Sequence, residues 1–510
     1  MTQLLSNTGQ KGWVVQKFGG TSVGKFPDKV IVVCSARSTG KKVEGTTSRL
    51  LLVFARLLAV GARHHSDDHR TALVDEARLL VAAISSDHVA AARSFVRDAA
   101  LQTALIADIE RECAELVEYI VAAKRFNLEI NARAKDRVVS FGEKLSCLFM
   151  AALLRDAGVD AQYVDLSDRL HFDPAARLDA VFYATAAAAF RDAIHECADK
   201  VPVVTGFFGN VPGSLIDGDV GRGYTDLCAA LCAVGVAAEE LQIWKEVDGI
   251  FTADPTKVPT ARLLPRITPS EAAELTFYGS EVIHHLTMDQ VIHASPPIPI
   301  RIKNVKNPHG NGTIVVPDAA ATSSKQVVCK KSNGPLGPHE TSAAAPPVGL
   351  SGDGPKHPTA VTIKDNITVI NVHSNKRAIS HGFFARVFSI LDRFQMSVDL
   401  ISTSEVHVSM AIHAAGIEPG VFSAATKALQ DECGEVSVLA GMAILSLIGA
   451  DMKNAIGISG KMFTTLGEHH INIEMISQGA SEINISCVVD AANATRAMNV
   501  LHTHLFTFLE

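Results

Sequence analysis

The sequence has no C-x-x-C pair among its nine cysteines, no apolar run approaching the roughly 18 residues that span a bilayer, and no basic block. Each absence excludes a class of protein. Scattered thiols give neither a disulfide scaffold nor a structural metal site. Cys228 and Cys232 stand four apart in an Ala/Leu-rich helical pattern, as small core residues do. Residues 1–11 lack the charged-then-apolar order of a secretory signal. The cytoplasm, reduced cysteines and no membrane association are therefore expected. A formal net charge of −7 without clustered lysine or arginine argues against a nucleic-acid partner. Small anionic ligands must then be met by cations placed locally.

What is present is a long chain of 510 residues, 47% hydrophobic and 20% charged, enough for several domains with sizeable cores. From Trp13 to about Pro317 short β-branched runs alternate with helical stretches. The runs include Ile31-Val32-Val33, Val201-Pro202-Val203-Val204, Leu241-Gln242-Ile243-Trp244 and Ile298-Pro299-Ile300-Arg301-Ile302. That alternation predicts an α/β domain with a mainly parallel sheet. Residues 73–125 carry Ala, Leu, Ile and Val at three- and four-residue intervals, which predicts a helical lobe at about 70–130. Between Ser332 and Pro358 the chain turns to Gly, Pro, Ser, Ala and His and reads as a linker. The expected domains are 1–330, a linker at 331–358, and two modules at 359–440 and 441–510. The modules follow from an internal repeat: the stretch from Gly382-Phe383-Phe384-Ala385 to Val398-Asp399-Leu400-Ile401-Ser402 matches that from Gly457-Ile458-Ser459-Gly460 to Ile473-Glu474-Met475-Ile476-Ser477. In each copy a strand, an amphipathic helix and two further strands are expected, a βαββ pattern.

Five clusters carry candidate chemistry. Lys17-Phe18-Gly19-Gly20-Thr21-Ser22 follows the apolar run Trp13-Val14-Val15, so a buried strand ends in a lysine and two glycines whose N–H groups can approach a phosphate. It is neither G-x-x-x-x-G-K-[ST] nor G-x-G-x-x-G, and read alone it equally suits an ordinary strand-to-loop turn. Ser140-Phe141-Gly142-Glu143 opens a helical pattern, where Glu143 is either a functional carboxylate or a favourable charge at a helix start. Gly221-Arg222-Gly223-Tyr224-Thr225-Asp226 runs into a helix. It presents Arg222 and backbone donors to a carboxylate or phosphate, or is a capped turn with the arginine in solvent. The stretch from Trp244-Lys245 to Asp254-Pro255, with Lys257, offers apolar wall, backbone edge and cation for a nucleotide. Thr205-Gly206-Phe207-Phe208-Gly209-Asn210 is a glycine loop after a strand.

Taken in order, these clusters resemble the aspartate kinases of the amino-acid kinase family, particularly the monofunctional fungal type with paired ACT domains. The likeness covers nearly the whole chain. It is carried further by Val33-Cys34-Ser35-Ala36-Arg37-Ser38, Gly45-Thr46-Thr47-Ser48-Arg49-Leu50-Leu51, Tyr278-Gly279-Ser280-Glu281-Val282-Ile283-His284 and residues 473–485. The resemblance implies a three-layer α/β sandwich with a mainly parallel sheet, followed by tandem ferredoxin-like α+β regulatory domains. It also implies transfer of the γ-phosphoryl of ATP, with magnesium, to the β-carboxylate of L-aspartate. The product, 4-phospho-L-aspartate, leads towards threonine and methionine, and in some organisms lysine. On the same basis Lys17 and Asp226 are the catalytic pair, and Ser35, Thr47, Glu143 and Arg222 bind aspartate. Lys17, Gly19, Gly20, Ser22, Gly206, Thr225, Lys245, Asp248, Gly249, Phe251, Asp254, Lys257 and Glu281 line the nucleotide. Ser380, Gly382, Phe383, Asp399, Ser404 and Glu405 would hold an amino-acid effector, threonine first and lysine second, and the ACT domains would join copies into a homo-oligomer. The alternatives are a kinase of another amino acid in the same family and a catalytically impaired amino-acid-binding regulatory subunit. With no dinucleotide-binding pattern after the repeats, a fusion to homoserine dehydrogenase is not expected.

The sequence departs from the family pattern after the phosphate turn, where only residues 23–30 separate Ser22 from Ile31-Val32-Val33-Cys34. A parallel crossover normally takes a dozen residues or more. Parallel pairing of these strands is therefore not expected if they are neighbours, and an uncovered apolar sheet face is. Smaller departures are Thr256, His285 and Asp219. The histidine pairs 64–65, 284–285 and 469–470 are read as ordinary side chains, since adjacent residues point apart.

Overall fold

The computed structural model describes residues 12–18, 29–38, 45–61, 66–172, 177–209, 211–218, 220–221, 223–279, 283–316, 357–374, 382–404, 406–479 and 483–506. The elements, in order, begin β1 (Val14–Phe18), β2 (Val30–Cys34), α1 (Thr46–Gly61), α2 (Asp67–Phe95), α3 (Ala99–Arg125), α4 (Ala132–Asp156) and β3 (Ala161–Val164). They continue with α5 (Ala180–His195), β4 (Val201–Thr205), α6 (Tyr224–Gly235), β5 (Glu240–Lys245), β6 (Arg266–Ile267), α7 (Pro269–Tyr278), α8 (His285–Ile292), β7 (Ile300–Asn304) and β8 (Thr313–Val315). The C-terminal part holds β9 (Ala360–Ser374), α9 (Phe383–Arg393), β10 (Leu400–Thr403), β11 (His407–His413), α10 (Pro419–Glu432) and β12 (Gly434–Ile448). It ends with α11 (Ile458–Glu468), β13 (Met475–Ser477), β14 (Asn484–Asp490) and α12 (Ala491–Phe506). They form two compact units. The first comprises residues 1–250, 263–267 and 283–316, and the second 251–262, 268–282 and 317–510.

In the first unit eight strands lie in the order β3-β4-β2-β1-β5-β7-β8-β6, parallel except for the β7–β8 pair. β2 and β4 are buried along their whole length, which is why they read as unbroken apolar runs instead of alternating ones. One expectation is overturned here. β1 and β2 are parallel neighbours, with Val14 opposite Val30 and Phe18 opposite Cys34. The crossover rule reflects a helix's usual length, and reach is a weaker demand. Twelve peptide steps can cover about 40 Å, whereas returning along a five-residue strand takes roughly 17 Å. Once β1 is wedged between β2 and β5, pairing on both edges sets the register.

Helices α1 to α4 make the helical lobe, sharing a core that includes Leu50, Leu57, Val81, Ile109, Leu116, Ile120 and Leu145. α2 and α3 start at side-chain caps, Ser66 accepting from His69 N and Asp98 from Leu101 N. The eight described cysteines are free and buried. No described helix is long and apolar enough to cross a membrane.

The second unit carries a six-stranded antiparallel sheet, β10-β11-β9-β12-β14-β13. Its two 15-residue strands, β9 and β12, run through both repeats. The second half of β9 pairs with β11 and with the first half of β12, while Ala360 to Lys364 pair with Ile448 to Ile444 beside β14. Each module thus takes its fourth strand from the other's long strand. The junction is a pair of register shifts, between Leu439 and Met442 and between Met442 and Ile444; Gly441, at φ +74°, sits in the first, and Asn366, at φ +60°, lies on β9 at the second. The boundary expected at 330 and the linker expected at 331–358 lie almost wholly outside the described residues, but residues 251–262 and 268–282 belong to this unit. Thr252 O accepts from Val361 N at 2.8 Å, and Glu271 Oε1 accepts from Ala450 N at 2.9 Å.

Candidate active site

The C-terminal ends of parallel strands and the helix starts that follow them gather the polar groups of the first unit, as open α/β sheets do. Lys17 lies near the end of β1 and its ammonium meets Asp226 Oδ1 at 2.6 Å, both side chains largely buried. Asp226 sits in the first turn of α6, whose start is made possible by Gly223 at φ +101°. A Cβ at Gly223 would come within 2.7 Å of the His284 ring, so the glycine also permits close approach. Burial alone would raise the Asp226 carboxyl. Lys17, Lys245 and more weakly His284 outweigh it and hold the carboxyl below its usual value. Asp226 is therefore an ion-pair anchor and a poor base.

Glu143 lies in the middle of α4, not at its start, so the helix-terminus reading fails; its side chain is 1% exposed. α4 can bring it against the β2 end because Gly142 has no side chain: a Cβ there would lie 2.7 Å from Ala36 Cβ. Tyr224 Oη donates to Glu143 Oε1 at 2.6 Å, and Oε2 has no hydrogen-bond partner among the described residues. Burial pushes the Glu143 carboxyl up to about 7, against the lowering effect of Tyr224, the Ala36 N–H and Lys17. Burial and then Glu143 itself hold the Tyr224 phenol well above its usual range, so it donates.

The same helix anchors the turn before Gly221. Asp136 accepts from Leu215 N at 2.7 Å, Ser214 Oγ at 3.0 Å and Ile216 N at 3.1 Å, and Leu215 O accepts from Gly221 N at 3.1 Å. Asp136→Ala would strand three donors in a buried place. It is expected to cost about 3 kcal/mol and to lower the thermal midpoint, which calorimetry would read. A midpoint unchanged would remove this anchor from the account.

The remaining expected residues divide. Ser35 ends the β2 path, its N–H donating to Phe18 O at 3.2 Å, and Thr47 lies in the first turn of α1. Thr225 is buried against Gly206, where a Cβ would lie 2.7 Å from Cys34 O. The Gly206 N–H donates to that same carbonyl at 3.0 Å, so its role here is close packing. Asp248 accepts from Asn304 and Asn307, at 3.1 and 3.2 Å, and shapes the loop after β5. Gly249, φ +147°, lies close against Thr313. Phe251, Asp254 and Lys257 belong to the second unit. There Asp254 Oδ1 accepts from Thr256 N at 2.9 Å, and Lys257 pairs with Asp365 at 3.2 Å. Of the expected effector residues, Gly382 starts α9 at φ +83°, Phe383 is buried in that module's core, and Ser404 N donates to His407 O. Asp399 pairs with Lys364 at 2.9 Å. Gly19, Gly20, Ser22, Arg222, Glu281, Ser380 and Glu405 lie outside the described residues.

Sequence reasoning missed two residues. Tyr224 was passed over between Arg222 and Thr225. His284, read as ordinary, is buried, with Nε2 3.0 Å from Val220 O and its ring under Gly223. Tyr224 stood inside the Gly221 to Asp226 cluster, and His284 closed the stretch that begins at Tyr278, though neither was given a role.

A lysine–aspartate pair at the mouth of a mainly parallel α/β sheet, with a second carboxylate held beside it, defines a kinase of the amino acid kinase family, and residues 12–304 match that family. Residues 445–505 match the ACT domain. An aspartate kinase of Gibberella moniliformis is 54% identical over 97% of this chain and 98% of its own length. The aspartokinase of Saccharomyces cerevisiae is 47% identical over 97% and 93%. Among solved structures, E. coli aspartokinase III in complex with aspartate and ADP has a TM-score of 0.61 at 27% identity, covering 97% of this chain and 99% of that one. The same enzyme with lysine and aspartate has a TM-score of 0.66. The chain belongs to the aspartokinases.

Proposed function

We propose that this aspartate kinase moves the γ-phosphoryl of ATP to the β-carboxylate of L-aspartate with Lys17, Asp226 and Glu143 as the central groups; the observation that carries the reading is the Lys17–Asp226 pair beside a buried carboxylate with one open oxygen. The nucleophile is itself a carboxylate, ionised well below neutrality, so no proton need be removed and no general base is required. That suits Asp226, which positions Lys17. Glu143 Oε2 takes the α-ammonium, Arg222 the α-carboxylate, and Ser35 and Thr47 complete the aspartate contacts. A β-carboxylate oxygen attacks the γ-phosphorus and the bond to ADP breaks. The Lys17 ammonium neutralises charge on the passing phosphoryl group.

The described residues include no group of three or more His, Cys, Asp or Glu side chains able to cage a metal. A magnesium ion would here be carried largely by phosphate and water oxygens and would supply charge neutralisation at the nucleotide phosphates. Gly19, Gly20, Ser22, Thr225, Lys245, Asp248, Gly249, Phe251, Asp254, Lys257 and Glu281 line the nucleotide in this reading, with Gly206 supporting them from behind. The ACT modules bind threonine, with lysine the second choice, and join copies of the chain in the cytoplasm. Hydroxylamine trapping of aspartyl phosphate tests the reaction: hydroxamate formed only with ATP and aspartate together supports it, and none from folded protein refutes it.

A pH dependence follows from Glu143. Its proton is retained up to about pH 7, and a neutral carboxyl cannot pair with the ammonium. KM for aspartate is expected to rise as pH falls below 7, by up to about tenfold per unit, while aspartate's own carboxylates stay ionised above pH ~5. A KM flat from pH 8 to 5.5 would assign the ammonium elsewhere.

A further inference from the structure

We infer that Tyr224 is the positioning residue that fixes aspartate affinity, by holding Glu143 with one carboxylate oxygen saturated and the other presented to the substrate's α-ammonium. The inference rests on the reading of Glu143 as the ammonium site. Three features of the structure carry it. The phenol O–H reaches Oε1 at 2.6 Å while Oε2 is left without a partner among the described residues. The Tyr224 ring meets Phe207 edge-on, centroids 6.3 Å apart, so the phenol is held from the side. Tyr224 also opens α6 just after Gly223.

That placement ties two halves of the site together. Tyr224 and Asp226 share the first turn of α6 but lie about 200° apart around the helix. One reaches across to Glu143 on α4 and the other to Lys17 on β1. A single helical turn therefore sets the distance between the ammonium pocket and the phosphoryl-bridging lysine. Without the phenol, Oε1 loses its side-chain donor and the Glu143 carboxylate gains a choice of rotamers.

The groups facing Glu143 are Lys17 from β1, Tyr224 and Cys228 from α6, Cys147 from its own helix and the Ala36 N–H from the end of β2. Of these, Tyr224, the Ala36 N–H and Lys17 favour its anion. Removing the phenol should then move the acid limb of the aspartate KM profile upward in pH, because the proton on Glu143 is retained longer.

The test is Tyr224→Phe, which keeps the ring against Phe207, assayed as full-length protein from pH 6 to 9, with Glu143→Gln in parallel. The expected result is a KM for aspartate about tenfold or more higher, kcat and the KM for ATP within about twofold, and an acid limb displaced to higher pH. A lowered kcat with unchanged aspartate KM, or a KM profile superimposed on the parent's, overturns the inference. If Glu143→Gln itself leaves the aspartate KM unchanged, the ammonium-site reading fails and this inference with it. A normal Tyr224→Phe beside an impaired Glu143→Gln refutes the inference alone.

Discussion

Lys17→Met is expected to lower kcat by about 10³-fold or more while leaving effector binding intact, because in the proposed function Lys17, held on β1 by Asp226, is the cation that neutralises the transferred phosphoryl group. The loss has a structural cost as well. Asp226 stays buried, and with Lys17 gone Lys245 and His284 are left among the described residues to oppose its desolvation. Breaking such a pair by removing one partner costs about 3 kcal/mol. The sign with pH follows. The folded-state value of Asp226 is depressed, so its contribution to stability is present above the ordinary carboxylate range and is lost as pH falls through that depressed value. Lys17→Met should erase that acid-side loss along with the stability. Lys17→Met combined with Asp226→Asn removes the stranded charge. The pair of changes should recover most of the thermal midpoint and none of the turnover, which separates a folding defect from a chemical one. Hydroxamate formation by Lys17→Met within tenfold of the parent would dismiss Lys17 as the bridging cation.

Much of this site could be read in the sequence because its chemistry is local: a lysine closing an apolar strand, a Gly-Glu step, and glycines around an arginine each fall within a few residues. What sequence could not give is what folding brings from afar. Tyr224 and Glu143 are 81 residues apart, and nothing in either segment announces the other. His284 reads as half of an ordinary pair until Gly223 is found packed against its ring. The β1–β2 pairing was doubted from a connection length, yet edge pairing on both sides of β1 decides it. The repeats were legible by position-for-position matching, but their exchange of half-strands was not, since a 15-residue strand shared by two modules looks like the end of one and the start of the next. Asp399 was assigned by resemblance alone, and its pairing with Lys364, 35 residues away, could not be read from its own segment.

Asp399→Ala is expected to raise the half-inhibitory concentration of the amino-acid effector by roughly 30-fold or more, with kcat and both KM values in its absence within about twofold. The carboxylate is buried, Oδ1 lies 2.9 Å from Lys364 Nζ, and Oδ2 has no partner among the described residues. One oxygen is thus committed and the other open, the arrangement an incoming ammonium needs. Lys364 makes the second variant informative. Its ammonium also sits 4.5 Å from the Phe277 ring centroid on α7, so one side chain touches both Asp399 and that helix. An effector ammonium arriving at Asp399 competes with Lys364 for the same charge and weakens its hold there. Lys364→Met should therefore bind effector several-fold more tightly, since no internal cation has to yield, yet transmit inhibition less completely, since the link to Phe277 is cut. Thermal shift reads the first effect and initial-rate inhibition the second. At an effector concentration of 100 Kd, binding contributes about 2.7 kcal/mol of stability, enough for a clear rise in midpoint. If saturating threonine and lysine both leave activity and midpoint of the parent unchanged, the effector role of this module is refuted. If Asp399→Ala is inhibited like the parent, the ammonium binds at another carboxylate.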